Sequence, residues 1–242
     1  QLAHLHGLDR PKSPCLSNKG LGCAVGYRST WIRSRRRIDG SVSECMTGSR
    51  MFIVGFSGSG KTAVGRGVAR LLGWDFVDTD EQVVERAGRT IEAIFATDGE
   101  MVFRALELDA VRQAALRDRV VVSTGGGAVA HDDTRETMLG SGFVVAVEAR
   151  PETIYARLSM PTRTDHSTDI RAEDMVRPLL RAEAGQDPLK RIEELKRQRQ
   201  WAYAVAHWTV STDDLSVQQA AHEVVRAWRR LGAPKLTAGD GL

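Results

Sequence analysis

Cysteine is scarce in this chain, and none occurs beyond residue 45. Cys15, Cys23 and Cys45 all lie within the first 50 of the 242 residues, and no two have the C-x-x-C spacing of a zinc site. The later residues can therefore carry neither a disulfide framework nor a thiol nucleophile. This absence excludes a disulfide-stapled scaffold and a cysteine-dependent enzyme.

Long apolar runs and internal repeats are also missing. No stretch approaches the roughly 20 apolar residues that a membrane span needs. No repeat is visible, which argues against a solenoid. Hydrophobic residues make up 42% and charged residues 27% of the chain, as in ordinary globular proteins. We therefore expect one globular domain that contacts no membrane.

Positive charge is concentrated at the N-terminus. Residues 1–50 contain nine lysines and arginines against three acids, a net charge of +6, whereas residues 51–242 have a net charge of −3. Because the main part of the chain lacks a basic bias, we expect no nucleic-acid partner. The composition of residues 1–50 favours a disordered extension upstream of a true start at Met46 or Met51. An organelle transit peptide and a basic arm are the alternatives.

Apolar periodicity extends over residues 51–231. Short apolar or β-branched runs predict strands near residues 51–55, 76–77, 119–124, 143–147 and 208–211. Helical stretches separate these runs, and such an alternation indicates an α/β fold with a parallel sheet. Residues 232–242, with several glycines and a proline, are expected to form a C-terminal tail.

A glycine-rich motif follows the first predicted strand. Residues 55–62, Gly-Phe-Ser-Gly-Ser-Gly-Lys-Thr, fit G-x-x-x-x-G-K-[ST] at every fixed position, and a helical pattern follows them. Glycines let backbone N–H groups turn toward phosphate oxygens, and the helix N-terminus adds a favourable dipole. In such a loop Lys61 reaches the β- and γ-phosphates and the Thr62 hydroxyl ligates Mg²⁺. The motif predicts a nucleotide-phosphate site without choosing among kinases, GTPases and ATPases.

Two aspartates follow the second predicted strand. On an extended backbone, Asp78 and Asp80 would point to the same side, about 7 Å apart. One carboxylate could hold Mg²⁺ and the other could accept a hydroxyl proton from an acceptor substrate. The alternative is a solvated turn in which an aspartate caps a helix over residues 81–87.

Two further features suggest an anionic acceptor and a close approach to the backbone. Arg104 and Glu107 lie three residues apart on a predicted helix, so that a carboxylate could orient the guanidinium toward a substrate carboxylate. An ordinary surface ion pair is the alternative. Gly125, Gly126 and Gly127 end a predicted strand, where a plain turn would need one or two glycines.

Together these motifs resemble the shikimate kinases, small P-loop kinases of aromatic amino-acid biosynthesis. The resemblance covers about residues 51–230. It rests on GFSGSGKT (55–62), DTD (78–80), IFATDGEMVFRALE (94–107), GGGAV (125–129), RPLL (177–180) and Arg-x-x-x-Tyr (199–203). It implies a three-layer α/β P-loop kinase fold with a central parallel sheet, flanking helices and a mobile lid at about residues 158–182.

The resemblance also implies a reaction, the ATP-dependent phosphorylation of the 3-hydroxyl of shikimate with Mg²⁺. The implied nucleotide-side residues are Gly58, Ser59, Gly60, Lys61, Thr62 and Ala63 around the phosphates, Arg157 against adenine, Arg177 in the lid over ATP, and Thr62 with Asp78 at Mg²⁺. The implied acceptor-side residues are Asp80 as the base, Arg104 and Arg199 at the carboxylate, and Gly125, Gly126 and Gly127 at the backbone. Lys61, Asp80 and Arg177 form the implied catalytic set.

Some features depart from the family pattern. The lid segment is longer than expected, and Arg163 and Arg171 are alternatives to Arg177 as its phosphate contact. Two acids at residues 213–214 leave a second adenine contact unassigned. The remaining functional alternatives are a kinase for another hydroxylated acid such as gluconate, a non-catalytic binding protein, and a nucleic-acid binder acting through residues 28–37. We expect a cytoplasmic monomer, or a plastid protein if residues 1–50 are a transit peptide.

Overall fold

The computed structural model describes residues 49–160 and 187–232. The expected N-terminal extension except residues 49–50, the expected C-terminal tail except Gly232, and most of the expected lid lie outside these ranges. Arg50 begins the first strand, so the sheet starts within the expected extension. Arg163, Arg171 and Arg177 are among the residues outside them. Within the described ranges, no helix is both long and apolar enough to cross a membrane.

Five parallel strands form the centre of the fold. Their bounds are Arg50–Val54 (β1), Asp75–Asp78 (β2), Val120–Ser123 (β3), Phe143–Glu148 (β4) and Trp208–Ser211 (β5). Their order across the sheet is β2-β3-β1-β4-β5. In register, Met51 pairs with Val121 on one side and with Phe143 on the other. β1 is thus central, and the chain leaves it toward both edges of the sheet.

Helices connect the strands and cover the sheet. In the described residues they are Lys61–Leu72 (α1), Thr79–Ala87 (α2), Ile91–Thr97 (α3), Gly99–Ala115 (α4), Asp132–Ser141 (α5), Pro151–Ser159 (α6), Pro188–Tyr203 (α7) and Val217–Leu231 (α8). Local signals fix several helix starts. Ser216 and Gln219 form a capping box at α8, and the Thr90 side chain accepts the Ala93 N–H at α3.

The core lies on both faces of the sheet because strand side chains alternate. Met51 and Ile53 of β1 belong to the cluster that packs against α1 and α8, whereas Phe52 and Val54 belong to the cluster on the opposite face. All four residues have no exposed surface. The expected parallel sheet between layers of helices is therefore confirmed.

The carboxyl ends of the strands carry the loops in which the motifs lie. The P-loop (residues 55–62) follows β1, Asp78 ends β2, and the triglycine segment (residues 125–127) follows β3. In open α/β sheets, ligands bind in the crevice at this edge, where strand order reverses. The fold therefore brings the sequence motifs together around the end of β1.

Among the glycines of residues 49–160 and 187–232, Gly55 has the least room for a side chain. Its φ is +145°, and a Cβ there would lie 2.2 Å from the Val147 carbonyl oxygen. We expect Gly55→Ala to lower the free energy of unfolding by about 2 kcal/mol or more, through overpacking and backbone strain. Urea denaturation measures this.

Gly140 of α5 is the matched control, since a Cβ there would meet nothing within 4 Å. We expect Gly140→Ala to leave stability unchanged or to raise it by up to about 1 kcal/mol, because alanine favours the helix. Equal effects of the two substitutions would contradict this account of Gly55.

Candidate functional site

The P-loop begins the site, and glycines set its conformation. Gly55, Gly58 and Gly60 all have positive φ, and the Ser59 N–H donates to the Phe56 carbonyl at 3.1 Å. Lys61 opens α1 and its Nζ donates to the same carbonyl at 3.0 Å. The lysine is thus held along the inside of the loop at the start of a helix, where anions bind.

Hydroxyl and carboxylate oxygens gather beside the P-loop. Thr62 Oγ1 donates to Asp78 Oδ2 at 3.0 Å and lies 3.4 Å from Ser123 Oγ. These hard oxygen atoms are the kind that Mg²⁺ prefers, and Mg²⁺ in nucleotide sites takes few protein ligands. No group of three or more His, Cys, Asp or Glu side chains in the described residues is arranged to hold a metal ion. Thr62 and Asp78 therefore fit a magnesium ion bound together with phosphate oxygens.

The backbone around Asp80 differs from the expectation of an extended chain. β2 ends at Asp78, and α2 begins at Thr79. Asp78 caps this helix, since its Oδ1 accepts the Asp80 N–H at 3.1 Å. The extended-backbone argument for the two carboxylates was therefore wrong. The alternative was right that an aspartate caps a helix, but the helix begins at Thr79 rather than at residue 81, and Asp78 is buried rather than solvated. Asp78 nevertheless bonds Thr62 of the P-loop helix, so capping and proximity to the phosphate loop coexist.

Each residue of the triglycine segment lacks a side chain for a different reason. A Cβ on Gly125 would lie 2.4 Å from Glu107 Oε1 and 2.8 Å from Asp80 Oδ1. On Gly126 it would lie 3.0 Å from the backbone nitrogen of Ser57 in the P-loop. On Gly127 it would lie 3.1 Å from Arg104 Nη2. The segment thus lets two carboxylates, the P-loop and an arginine converge on one strand end.

Arg104 is held by carboxylates on its own helix. Its Nη1 donates to Glu107 Oε2 at 2.8 Å, and its Nη2 donates to Glu100 Oε1 at 3.1 Å. Glu107 is 1% exposed, so this ion pair is not the ordinary surface pair that the sequence left open. A guanidinium fixed against Gly127 by a buried carboxylate is oriented to bind an anion.

Arg199 and Tyr203 reach the same segment from α7. Tyr203 Oη donates to the Gly126 carbonyl at 2.8 Å, and Arg199 Nη1 donates to it at 3.5 Å. The Arg199 guanidinium also lies 5.8 Å from the centre of the Phe56 ring. Burial raises the pKa of Tyr203 to about 12, so it remains a neutral donor. Both arginines expected to clamp an acceptor carboxylate therefore lie against the triglycine segment, Arg104 at Gly127 and Arg199 at Gly126.

The electrostatics of the site centre on Asp80. Burial of its carboxyl raises its pKa to about 7, and the charges of Asp78 and Glu107 act in the same direction. Burial likewise raises the pKa of Glu107 against the opposing effect of Arg104. Burial lowers the pKa of Lys61, although Asp80 and Asp78 oppose this. Asp80 Oδ1 and Glu107 Oε1 are buried and have no hydrogen-bond partner in the described residues.

Arg157 lies on the outer side of the P-loop. Its Nη1 donates to the Ser59 carbonyl at 3.1 Å and to the Thr212 hydroxyl at 3.0 Å. Its expected position against adenine stays a prediction, because the structure describes contacts to the loop backbone and to Thr212. Of the other expected residues, Gly58, Ser59, Gly60 and Thr62 lie where the motif placed them. Ala63 follows in the first turn of α1, and Arg177 lies outside the described residues.

Sequence reasoning missed three residues of this neighbourhood. The Ser123 hydroxyl lies beside that of Thr62, and the Tyr203 hydroxyl donates to the Gly126 carbonyl. The Thr212 hydroxyl is hydrogen-bonded to both Arg157 and the P-loop. Tyr203 stood in the Arg-x-x-x-Tyr motif without an assigned role, and helical spacing to Arg199 could have suggested one. Ser123 and Thr212 carry no local signal, since their partners lie 55 or more residues away in the sequence.

Comparison with known protein families finds one family across most of the chain. The family model described as shikimate kinase matches residues 57–229. A shikimate kinase from Symbiobacterium thermophilum is 42% identical over 182 residues, which cover 74% of this chain and 96% of that protein. One from Caldanaerobacter subterraneus is 37% identical over 179 residues, which cover 74% of this chain and 95% of that protein.

Solved structures agree with the sequence comparison. The shikimate kinase of Acinetobacter baumannii, solved in complex with shikimate, has a TM-score of 0.67 and 30% sequence identity. The match covers 80% of this chain and 98% of that protein. The shikimate kinase of Bacteroides thetaiotaomicron has a TM-score of 0.62 and 26% identity, covering 75% of this chain and 98% of that protein.

The convergence of carboxylates on Gly125 predicts a measurable coupling. We expect Glu107→Gln to lower the pKa of Asp80, because it removes a neighbouring negative charge. ¹³C NMR titration of aspartate-labelled protein measures this pKa, with Asp80→Asn identifying the resonance.

Glu100→Gln provides the matched control. Glu100 also bonds Arg104, but it is not among the charges that shift the pKa of Asp80. Its substitution should leave the titration of Asp80 unchanged. An Asp80 titration that is the same in the wild type and in Glu107→Gln would refute the coupling.

Proposed function

Because this chain belongs to the shikimate kinase family, we propose that its site transfers the γ-phosphoryl group of ATP to the 3-hydroxyl of shikimate. The observation that carries this proposal is that Asp80, Arg104 and Arg199 all lie against the triglycine segment. To phosphorylate a hydroxylated carboxylic acid, a small site needs one group that accepts the hydroxyl proton and positive charges that bind the carboxylate. Asp80 supplies the first, and Arg104 with Arg199 supplies the second.

Asp80 is proposed as the general base. Its Oδ1 is free of hydrogen bonds from the described residues and can accept one from a substrate hydroxyl. A carboxyl whose pKa is about 7 can accept a proton near neutral pH and release it again. As the hydroxyl oxygen forms a bond to phosphorus, its proton passes to Asp80, and the bond from phosphorus to the leaving oxygen of ADP breaks.

The acceptor arginines orient the substrate carboxylate. Arg104 is fixed by Glu107, and Arg199 is placed by its contacts with Gly126 and Phe56. Two guanidinium groups on one carboxylate would set the ring of the acceptor in a single orientation. The triglycine segment supplies backbone contacts on the same side.

The nucleotide side supplies positive charge and N–H donors. Lys61 and the backbone of residues 58–63 would bind the β- and γ-phosphates, as P-loops do. Thr62 and Asp78 would hold Mg²⁺, which neutralises phosphate charge when bound. Phosphoryl transfer depends mainly on such positioning and charge neutralisation. Arg177, outside the described residues, is proposed to close over the nucleotide and exclude water, with Arg157 on the adenine side.

ADP release in a coupled assay tests the proposed reaction. We expect turnover of residues 46–242 with MgATP to require shikimate, and gluconate to give no more than the background rate. The physical reason is that the acceptor must place a ring hydroxyl at Asp80 while its carboxylate binds both arginines. The full chain serves as the control for the role of residues 1–45.

The outcomes distinguish the functional alternatives. Turnover with gluconate but not with shikimate would move the proposal to another hydroxylated acid. MgATP binding without turnover on either acceptor would support a non-catalytic binding protein. Equal activity of the full and shortened chains would support a dispensable N-terminal segment, and loss in the shortened chain would contradict it.

Asp80→Asn separates the roles of base and structural carboxylate. We expect kcat to fall about 100-fold or more, because the amide cannot accept the hydroxyl proton. MgADP affinity should stay within about threefold of the wild type, because the phosphate-binding residues are unchanged. Survival of kcat within a few-fold would refute Asp80 as the base.

The same substitution should stabilise the fold at neutral pH. The carboxyl of Asp80 titrates at about pH 7 in the folded chain, above its ordinary value of 3.8. Between these values the folded state holds a proton that the unfolded state has released, so stability falls as pH rises. The free energy of unfolding of Asp80→Asn should thus exceed that of the wild type at pH 7. The difference should shrink as pH is lowered toward 4.

A further inference from the structure

We propose that Thr212 is a positioning residue that fixes Arg157 and the Ser59–Gly60 peptide of the P-loop as one unit. Thr212 is the residue after β5 and is 5% exposed. It would act on nucleotide binding from behind the loop, without touching the nucleotide. The inference rests on the proposed function for its activity measurements alone, since its binding measurements need no acceptor.

The side chain of Thr212 connects three parts of the fold. Its hydroxyl donates to the Ser59 carbonyl at 2.8 Å and lies 3.2 Å from the Glu148 carbonyl at the end of β4. The same hydroxyl oxygen accepts from Arg157 Nη1 at 3.0 Å. One buried side chain thus joins the P-loop, the sheet and α6.

Thr212 also holds Arg157 through its backbone. Arg157 Nη2 donates to the Thr212 carbonyl at 2.8 Å, so the guanidinium binds this residue at two points. Nη1 further donates to the Ser59 carbonyl at 3.1 Å and lies 3.4 Å from the Gly58 carbonyl. Without the Thr212 hydroxyl, the guanidinium would lose one of the contacts that fix its plane over the loop.

The Ser59 carbonyl is the point at which this network reaches the phosphate site. That carbonyl belongs to the same peptide group as the Gly60 N–H, which lies in the phosphate-binding part of the motif. Two donors, a hydroxyl and a guanidinium, converge on the oxygen. Donors on a carbonyl polarise the peptide and strengthen its N–H as a donor on the opposite side. Thr212 and Arg157 would therefore strengthen phosphate binding through the peptide group.

The surrounding residues keep this unit in place. Asp213 accepts the Arg150 N–H at 2.9 Å and the Ser211 hydroxyl at 2.9 Å, which fixes the chain just after Thr212 to the start of α6. Phe56 of the P-loop packs with Ile154 of α6 in a small buried cluster. The loop, α6 and the end of β5 are thus held together on both sides of Thr212.

Three substitutions test the role of the hydroxyl. Thr212→Val keeps the shape and removes the hydroxyl, and Thr212→Ser keeps the hydroxyl and removes a methyl group. Thr209→Val is the matched control, because Thr209 is an exposed threonine of β5, the strand that ends just before Thr212. Thermal denaturation verifies that each variant folds. If Thr212→Val does not fold, Thr212→Ala and Thr212→Ser decide the same question.

Calorimetry measures binding of MgADP. Competition with MgADP measures binding of tripolyphosphate, a probe that has the phosphates but no adenosine. We expect Thr212→Val to weaken both about tenfold, since a lost hydrogen bond to a charged network is of that size. Thr212→Ser should stay within about twofold of the wild type, and Thr209→Val should be unchanged. In the kinase assay, KM for ATP should rise in Thr212→Val while KM for shikimate stays constant.

A double-mutant cycle with Arg157→Met tests the connection. The two side chains act on one carbonyl. The fold-loss in MgADP affinity of the double variant should therefore be smaller than the product of the fold-losses of the two single variants. Unchanged MgADP affinity in Thr212→Val, or an equal loss in Thr212→Ser, would overturn the proposal. Weakened MgADP binding with unchanged tripolyphosphate binding would also overturn it, since Thr212 would then act on the adenosine part of the nucleotide and not on its phosphates. Intact MgADP binding without shikimate turnover in the wild type would instead refute the proposed function.

Discussion

The close approach of charged side chains to residues 125–127 is the constraint on which the candidate site depends. Asp80 and Glu107 occupy the space of a side chain at Gly125. At Gly126 the P-loop backbone leaves only a tight fit for a Cβ, and at Gly127 Arg104 does the same. None of these three glycines has a positive φ, so space rather than backbone conformation requires them. A side chain at Gly125 would have to displace Asp80 or Glu107, which are the proposed base and the carboxylate that holds Arg104.

This crowding of carboxylates lowers the stability of the fold, but it also produces the raised pKa that the proposed role of Asp80 needs. Asp80 is desolvated and lies near the charges of Asp78 and Glu107, which together raise its pKa to about 7. A carboxyl in such a place weakens the fold at neutral pH, whereas a carboxyl with an ordinary pKa would be a poor proton acceptor near pH 7. Lys61 and Arg104 limit the cost without removing it. Glu107 acts on both sides of this balance, because it holds Arg104 in place and also raises the pKa of Asp80.

The sequence predicted those parts of the structure that rest on local patterns. The parallel sheet and the P-loop before α1 follow from apolar periodicity and glycine spacing. The backbone at Asp80 was misjudged, because the Asp78 side chain accepts the Asp80 N–H and begins a helix where the pattern allowed an extended chain. The contacts of Thr212 with Ser59 and Arg157 lie beyond local patterns, since they join residues 153 and 55 positions apart. Such contacts depend on how the strands are ordered in the sheet, which periodicity does not specify.

The order of strands also explains how different strands can serve the two proposed tasks of the site, which are nucleotide binding and acceptor binding. β2 and β3 lie on one side of β1, and they deliver Asp78, Asp80 and the triglycine segment, which are the proposed metal and acceptor groups. β4 and β5 lie on the other side, and they deliver the Glu148 carbonyl and Thr212, which brace the P-loop from outside. The P-loop follows the central strand and is contacted from both sides. Substitution of Thr212 should therefore act on the nucleotide, and substitution of Gly125 on the acceptor. Asp78, which bonds Thr62 of the P-loop helix, and the P-loop itself can affect both.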